Sequence, residues 1–167
     1  DEARGQFEIP AWLQQMVSNK WMGDKTGQGF FKKTKSGSGE KEILVLDLKT
    51  MEYKPRVKPK FATLEAAKPI EDLNHRLKTM VAGKDKAGEF YRHFHYGLFS
   101  YISHRIPEIS DEIYRVDDAM KAGFGWEIGA FETWDVFGVE KSIDAMKENG
   151  YNIAPWVTDM INNGNKS

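Results

Sequence analysis

His93 and His95 stand two residues apart in "FYRHFHYG", and His104 follows eleven residues after His93. Imidazole is a common metal ligand and general base, so this cluster is the first place to look for chemistry. On a helix, positions two apart point about 200° away from each other, and His93 and His95 cannot share a metal. His104 returns to nearly the face of His93 but about three turns along, too far for co-ligation. Packing among aromatics, or a surface position, is the expected role of these rings. The second candidate chemistry is acidic. Glu127, Glu132 and Asp135 lie in and after a run of glycines, and paired carboxylates can do acid–base work. A carboxylate beside glycine amides at a helix start is more simply a cap, stabilising by about 1 kcal/mol. Capping is expected here, and Asp117 is expected to bind backbone N–H groups of the same glycine loop.

The third candidate is "GDKTGQGFFKK", Gly23 to Lys33, where glycines and lysines crowd as they do around phosphates. A dinucleotide fingerprint runs strand, G-x-G-x-x-G, helix, so that helix amides face the pyrophosphate. Here a helical pattern precedes the glycines and a strand pattern follows, and Lys32 occupies the place of the third glycine. Gly-Lys-Ser/Thr is absent as well. The stretch reads as a helix-to-strand turn in which Gly27 and Gly29 serve the backbone. The basic run "KPRVKPK" reads as a solvated connector, with phosphate contact as the rival.

Composition narrows the field further. The chain has 167 residues and no cysteine, which excludes a disulfide scaffold, a thiol nucleophile and thiolate zinc sites. It suits a cytoplasmic setting. Its 24 basic and 25 acidic side chains nearly cancel, so no global field draws in nucleic acid or an anionic membrane. No apolar run approaches the ~20 residues of a membrane span. "DEARGQ" is no signal peptide, and the missing initiator Met is expected of a piece cut from a longer chain.

The elements that must position these residues are mostly helical. "IPAWLQQMVSNKWMG" sets Trp12, Leu13, Met16 and Val17 on one face, with Pro10 near the start and Gly23 as the expected stop. "GFFKKT", "EILVLDL" and "EYKPRV" predict a small antiparallel meander. "KPKFATLEAAKPIEDL" predicts a polar connector, so the expected units are residues 1–58 and 59–167. "IEDLNHRLKTMVAG" predicts a helix ended by Gly83. "KAGEFYRHFHYGLFSYISHRI" predicts a helix stopped by Pro107, with Phe90, Phe94, Leu98 and Ile102 at four-residue steps and Tyr91, Phe99 and Tyr101 widening the stripe. Apolar over so much of its girth, it is expected to be central or to lie in an interface. "SDEIYRVDDAMKAG" predicts a helix capped by Ser110 and closed by Gly123. "GFGWEIGAFETWDVFG" is a glycine-bent loop entering a short helix, and "VEKSIDAMKENG" is another helix ended by Gly150.

One internal echo links the two ends. "IPAWLQQMVSN" (Ile9 to Asn19) aligns with "IAPWVTDMINN" (Ile153 to Asn163), with Ile, Trp, Met and Asn coinciding. The chain then starts near the end of one repeat and stops at the same place in the next.

The same segments carry a family resemblance. A helix followed by "GDKTGQGFF" resembles the G-x-K-T-G-x-G-F-Y segment closing the helical C-terminal domain of 3-hydroxyacyl-CoA dehydrogenases, with Phe31 in place of the usual Tyr. "RVDDAMKAGFGWEIGAFETWD" is similar to the family's D-x-A-M-x-x-G-F-G-W-x-x-G-P-F-E-x-W-D. It matches at Asp117, Ala119, Met120, Gly123, Phe124, Gly125, Trp126, Gly129, Phe131, Glu132, Trp134 and Asp135, and Ala130 replaces Pro. "RIPEISD" resembles the family too. The Trp variant looks most like long multifunctional members, in which two such helical domains follow an NAD-binding domain and an enoyl-CoA hydratase domain can be fused.

The resemblance implies a mainly α fold like the 6-phosphogluconate dehydrogenase C-terminal domain. It implies the tail of a first helical repeat plus most of a second. It implies oxidation of (3S)-hydroxyacyl-CoA with NAD in fatty-acid β-oxidation by the whole enzyme, this portion walling the acyl-CoA cleft and packing repeats or subunits. The family's catalytic His–Glu pair belongs to the NAD-binding domain, and its substrate Asn to the start of the first helical domain. No catalytic, cofactor-binding or metal residue is therefore assigned here, and Asn74 in "LNHR" sits in the wrong repeat to serve. Phe90, Phe94 and Leu98 are the expected interface, bared by the missing first repeat and available for self-association. An adaptor that kept the fold and binds a protein is the alternative.

Overall fold

A computed structural model describes residues 4–37 and 39–166. The chain divides into two compact units, Asp1–Pro59 and Lys60–Ser167.

In the first unit a short 3-10 turn (Arg4–Phe7) leads to α1 (Ala11–Ser18), a second 3-10 turn (Asp24–Thr26) and three strands. These are β1 (Phe31–Lys35), β2 (Lys41–Asp47) and β3 (Glu52–Pro55), antiparallel in the order β1-β2-β3. Register pairs Phe31 with Val45 and Leu46 with Tyr53. Alternation sends Leu46 and Tyr53 to one face, where Leu46 and Met16 are buried and Trp21 packs on the Tyr53 ring at 5.4 Å. Gly23 does not end α1. The helix stops at Ser18, and Lys20 takes the left-handed turn (φ 58°), with Trp21 N–H donating to the Met16 carbonyl at 2.8 Å.

The glycine stretch is a self-closed turn. Gly23 (φ 103°) and Gly27 (φ 82°) hold left-handed conformations. Gly23 N–H donates to the Gln28 carbonyl at 2.9 Å, Thr26 N–H to Gly23 and Gly27 N–H to Asp24. These amides are spent on the loop's own carbonyls. Gly29 lies against Gly23, where an added Cβ would meet the Gly23 Cα at 2.8 Å.

The second unit is all helical: α2 (Ala62–Ala67), α3 (Leu73–Ala82), α4 (Lys86–His104), α5 (Ile113–Phe124), α6 (Ala130–Phe137), α7 (Val139–Glu148) and α8 (Pro155–Asn162). The expected polar connector holds α2, whose Thr63 and Ala67 are buried. Asp85 caps α4 by accepting the Ala87 and Gly88 amides, and its other oxygen accepts the Thr63 amide at 3.0 Å. α5 begins after Glu112, not at Ser110, whose hydroxyl instead accepts the Glu112 amide in a local turn. It also runs through Gly123 and closes at Gly125.

The core of this unit gathers on α4, α6, α7 and α8. Phe99 stacks on Trp134 at 4.9 Å and 4°, a pair worth about 0.5–1.5 kcal/mol beyond its buried area. Phe137, Met146 and Val157 close around them. Trp134 Nε1–H donates to Ser142 Oγ at 2.6 Å, so the indole is buried without a lost hydrogen bond. The aromatic stripe of α4 divides: Phe99 and Ile102 enter the core, Leu98 is half-buried, and Phe90 and Phe94 face outward.

α1 and α8 span equivalent positions of the internal echo, Ala11–Ser18 and Pro155–Asn162. Their C-terminal hydrogen bonds also correspond: Lys20 to Val17 and Trp21 to Met16 in one, Gly164 to Ile161 and Asn165 to Met160 in the other.

Candidate functional site

The residues of the D-x-A-M to E-x-W-D segment meet at the start of α6. A helix start leaves amides without partners, and a side chain at the N-cap normally accepts one. The N-cap here is Gly129, which has none. Asp117, from the middle of α5, supplies the carboxylate instead: Phe131 N–H donates to its Oδ1 at 2.8 Å and Glu132 N–H to its Oδ2 at 3.1 Å. Glu132 reaches back to accept the Gly129 amide at 2.6 Å, and Lys121 donates to Glu132 at 2.9 Å.

Charge follows from these contacts. The Gly129 amide and then Lys121 hold the Glu132 carboxyl below its usual value. The hydrogen bond to Glu132 raises Lys121. Burial pushes the Asp117 carboxyl up, against the pull of the two amides it accepts. Each carboxylate oxygen of Asp117 and Glu132 thus meets a backbone amide or Lys121, and the network fastens α5 to α6. Asp135 lies outside it, exposed on α6, its carboxylate with no hydrogen bond to a described residue.

The turn between α5 and α6 has a second product. Gly125 (φ 66°) swings the chain out so that Trp126 and Ile128 face α3 and α4. Together they enclose a groove of about 360 Å³. Leu73 and Leu77 form its α3 wall, and Tyr91, Phe94 and His95 its α4 wall. Glu127 stands at the turn side and Thr133 at the α6 side. His95 is buried, its ring 4.9 Å from that of Phe137. Burial lowers its pKa. Helical spacing reads His95 as one more member of an aromatic stripe; that it reaches a groove depends on the α5–α6 turn lying across α4, which no local pattern records.

The other candidates stay apart. His93 Nδ1 is 3.0 Å from the Tyr151 hydroxyl, and His104 Nδ1 is 2.8 Å from the Ser100 carbonyl. Asn74 is exposed on α3 and does not line the groove. Among the described residues no group of His, Asp and Glu comes together as a metal site, and no helix is long and apolar enough to cross a membrane.

Over 161 residues, 96% of its length, the chain is 35% identical to a Bacillus subtilis protein named probable 3-hydroxyacyl-CoA dehydrogenase. This relative bears out the likeness to 3-hydroxyacyl-CoA dehydrogenases seen in the sequence. More distant relatives are two proteins named putative fatty acid oxidation complex trifunctional enzyme. The Rickettsia felis protein is 23% identical over 72% of the chain, and the Rickettsia prowazekii protein 23% over 90%. The chain spans only 20%, 15% and 18% of the lengths of these three relatives. No family profile and no solved structure matches it.

Proposed function

We propose that this chain is a C-terminal helical part of an NAD-dependent 3-hydroxyacyl-CoA dehydrogenase of fatty-acid β-oxidation. The whole enzyme oxidises (3S)-hydroxyacyl-CoA to 3-oxoacyl-CoA and reduces NAD to NADH, in the cytoplasm. Residues 1–58 are the tail of one helical repeat with its β meander, and residues 59–167 are a second repeat of the 6-phosphogluconate dehydrogenase C-terminal type. The part described here walls the acyl-CoA cleft and packs repeats or subunits against each other. It binds no NAD and performs no chemistry alone.

The observation that carries this reading is the 35% identity across nearly the whole chain to a protein named as such a dehydrogenase. The equivalent spans and closing hydrogen bonds of α1 and α8 support the repeat assignment. The network of Asp117, Lys121, Gly129 and Glu132 supports a packing role, because its polar atoms serve the backbone and each other. The exposed aromatics Phe90 and Phe94 favour the adaptor alternative only if the parent protein lacks an NAD-binding domain.

Acetoacetyl-CoA and NADH distinguish the parts of this reading. The parent protein is expected to oxidise NADH with this substrate, and the 167-residue chain to match a heat-inactivated control. An inactive parent removes the dehydrogenase assignment. Turnover by the chain alone removes the non-catalytic role.

A further inference from the structure

The near-balance of charge over the whole chain hides a division. Between Lys20 and Lys58 ten basic side chains meet five acidic ones, whereas from Lys60 onward 13 basic face 17 acidic. A local excess of one sign makes a local field that the total conceals. Part of the excess gathers on one face of the sheet. Register sets Phe31, Lys33 and Lys35 of β1 on the same side as Lys41, Ile43 and Val45 of β2 and Lys54 of β3. The opposite side carries the buried Leu46.

Two features of this outward face do nothing for the fold. Lys35 and Lys41 stand directly opposite each other in the register, and like charges so placed destabilise a sheet. Among the described residues no carboxylate forms an ion pair with either, although Lys33 meets Asp24 at 3.1 Å and Lys54 meets Asp47 at 2.7 Å. The acids of this face, Asp47 and Glu52, are paired at its other end. Lysines on an edge strand keep it from joining another sheet, which accounts for Lys33 and Lys35. Lys41 lies on the central strand, where no such protection is needed. The second feature is Phe31, 53% exposed on the same face, with the Arg56 guanidinium 5.5 Å from its ring centre.

Cations and an open aromatic ring together select the partner. A polyanion relieves the repulsion between Lys35 and Lys41. An acidic polypeptide gains nothing from a flat ring, whereas an unpaired base stacks on it and on a guanidinium plane. A duplex hides its bases, and this face offers no helix to enter a groove.

We propose that the outward face of the β1–β2–β3 sheet binds single-stranded nucleic acid, with Lys33, Lys35 and Lys41 on phosphates and Phe31 and Arg56 stacking a base. The surface lies wholly within the first unit and asks nothing of the dehydrogenase reading.

Fluorescence anisotropy of a labelled oligo(dT) of about twelve nucleotides tests it with the 167-residue chain. Binding is expected to saturate at about 20 mM salt, with log K falling against log salt at a slope of about −2 for three phosphate contacts. The double variant Lys35→Gln, Lys41→Gln is expected to bind at least about tenfold more weakly and to reduce that slope to about −0.7. Its melting temperature should hold or rise, because the like-charge pair is gone, so a loss of binding cannot be put down to unfolding. Phe31→Leu keeps an apolar strand residue and is expected to weaken binding about fivefold or more while leaving the slope unchanged. Three results overturn the proposal: no saturable change with about 100 μM chain at low salt, unchanged affinity in the double variant, or displacement of the strand by oligoglutamate at equal charge. The last would assign the face to an acidic polypeptide instead.

Discussion

Asp117 stands where a side chain on Gly129 would have to go: a Cβ on Gly129 would lie 2.3 Å from the Asp117 Cβ and Oδ1. The absent N-cap side chain and the distant carboxylate are two halves of one solution. Gly129→Ala is expected to lower stability by about 1–3 kcal/mol, because either Asp117 or the start of α6 must shift. Asp117→Ala strands the Phe131 and Glu132 amides and is expected to cost a similar amount, roughly 1–3 kcal/mol. Combined, the two should cost less than their sum, since each relieves the crowding or loss caused by the other. Urea melts of the three variants decide it, and strict additivity would dissolve the link.

Two neighbouring glycines should respond in opposite directions. Gly125 closes α5 at φ 66°, and nothing lies within 4 Å of the place its Cβ would take. Gly125→Val therefore meets backbone strain alone, about 1–2 kcal/mol. Gly123 is inside α5 with the same open space and no positive φ, so Gly123→Ala should stabilise by about 0.4–1 kcal/mol. A thermal melt that ranks the two the other way would place the end of α5 at Gly123.

That pair shows where reading residues alone reaches its limit. Periodicity places α1, α3, α4, α5 and α7 because each turns an apolar stripe inward, the echo of α1 marks the segment that forms α8, and the three strands alternate as their sequences do. Helix ends are set by single dihedral angles, and there glycine is a fallible guide: Lys20, not Gly23, takes the left-handed position after α1. α2 is short and flanked by prolines, and its hold on Asp85 is made 22 residues away. The Asp117 cap likewise reaches Phe131 across 14 residues, beyond any local pattern. The α4 stripe divides for a geometric reason. Four residues advance a helix by slightly more than one turn, so each step drifts about 40° and Phe90 and Ile102 end on different sides.

Acid should weaken the second unit through Asp85. Its carboxyl is held to about 2, from an ordinary 3.8, by the Thr63 amide foremost, then the Thr63 hydroxyl and the Gly88 and Ala87 amides. A carboxyl depressed in the folded state stabilises the fold above its unfolded pKa and loses that contribution as pH falls through the folded value. The melting temperature should therefore drop between about pH 4 and pH 2. Asp85→Asn should start lower near neutral pH and show a shallower drop in that interval. Asp47, also held to about 2, with Lys54 as its main partner, should supply part of the remaining slope from the first unit. An Asp85→Asn profile parallel to that of the unaltered chain would remove Asp85 from the acid response.

The last expectation concerns the outward side of α4. Phe90 is 72% and Phe94 51% exposed, and their rings stack on each other at 6.5 Å and 23° instead of entering the core. Two stacked aromatics in water keep most of their hydrophobic cost, and such patches commonly mark contact surfaces. In the proposed dehydrogenase this side of the helix would face another helical repeat or subunit. Apart from its parent, the chain should cover the patch with a second copy of itself, through Phe90 and Phe94 with Leu98 at the margin. Sedimentation is expected to show a dimer at about tens of micromolar. Phe90→Glu should yield a folded monomer, because the side chain is mostly in solvent and the core does not depend on it. Phe99→Glu is the contrasting control: that side chain is fully buried against Trp134, so the charge should unfold the unit rather than separate copies. A chain that stays monomeric at about millimolar concentration would leave Phe90 and Phe94 as solvent-facing aromatics and remove self-association from the reading.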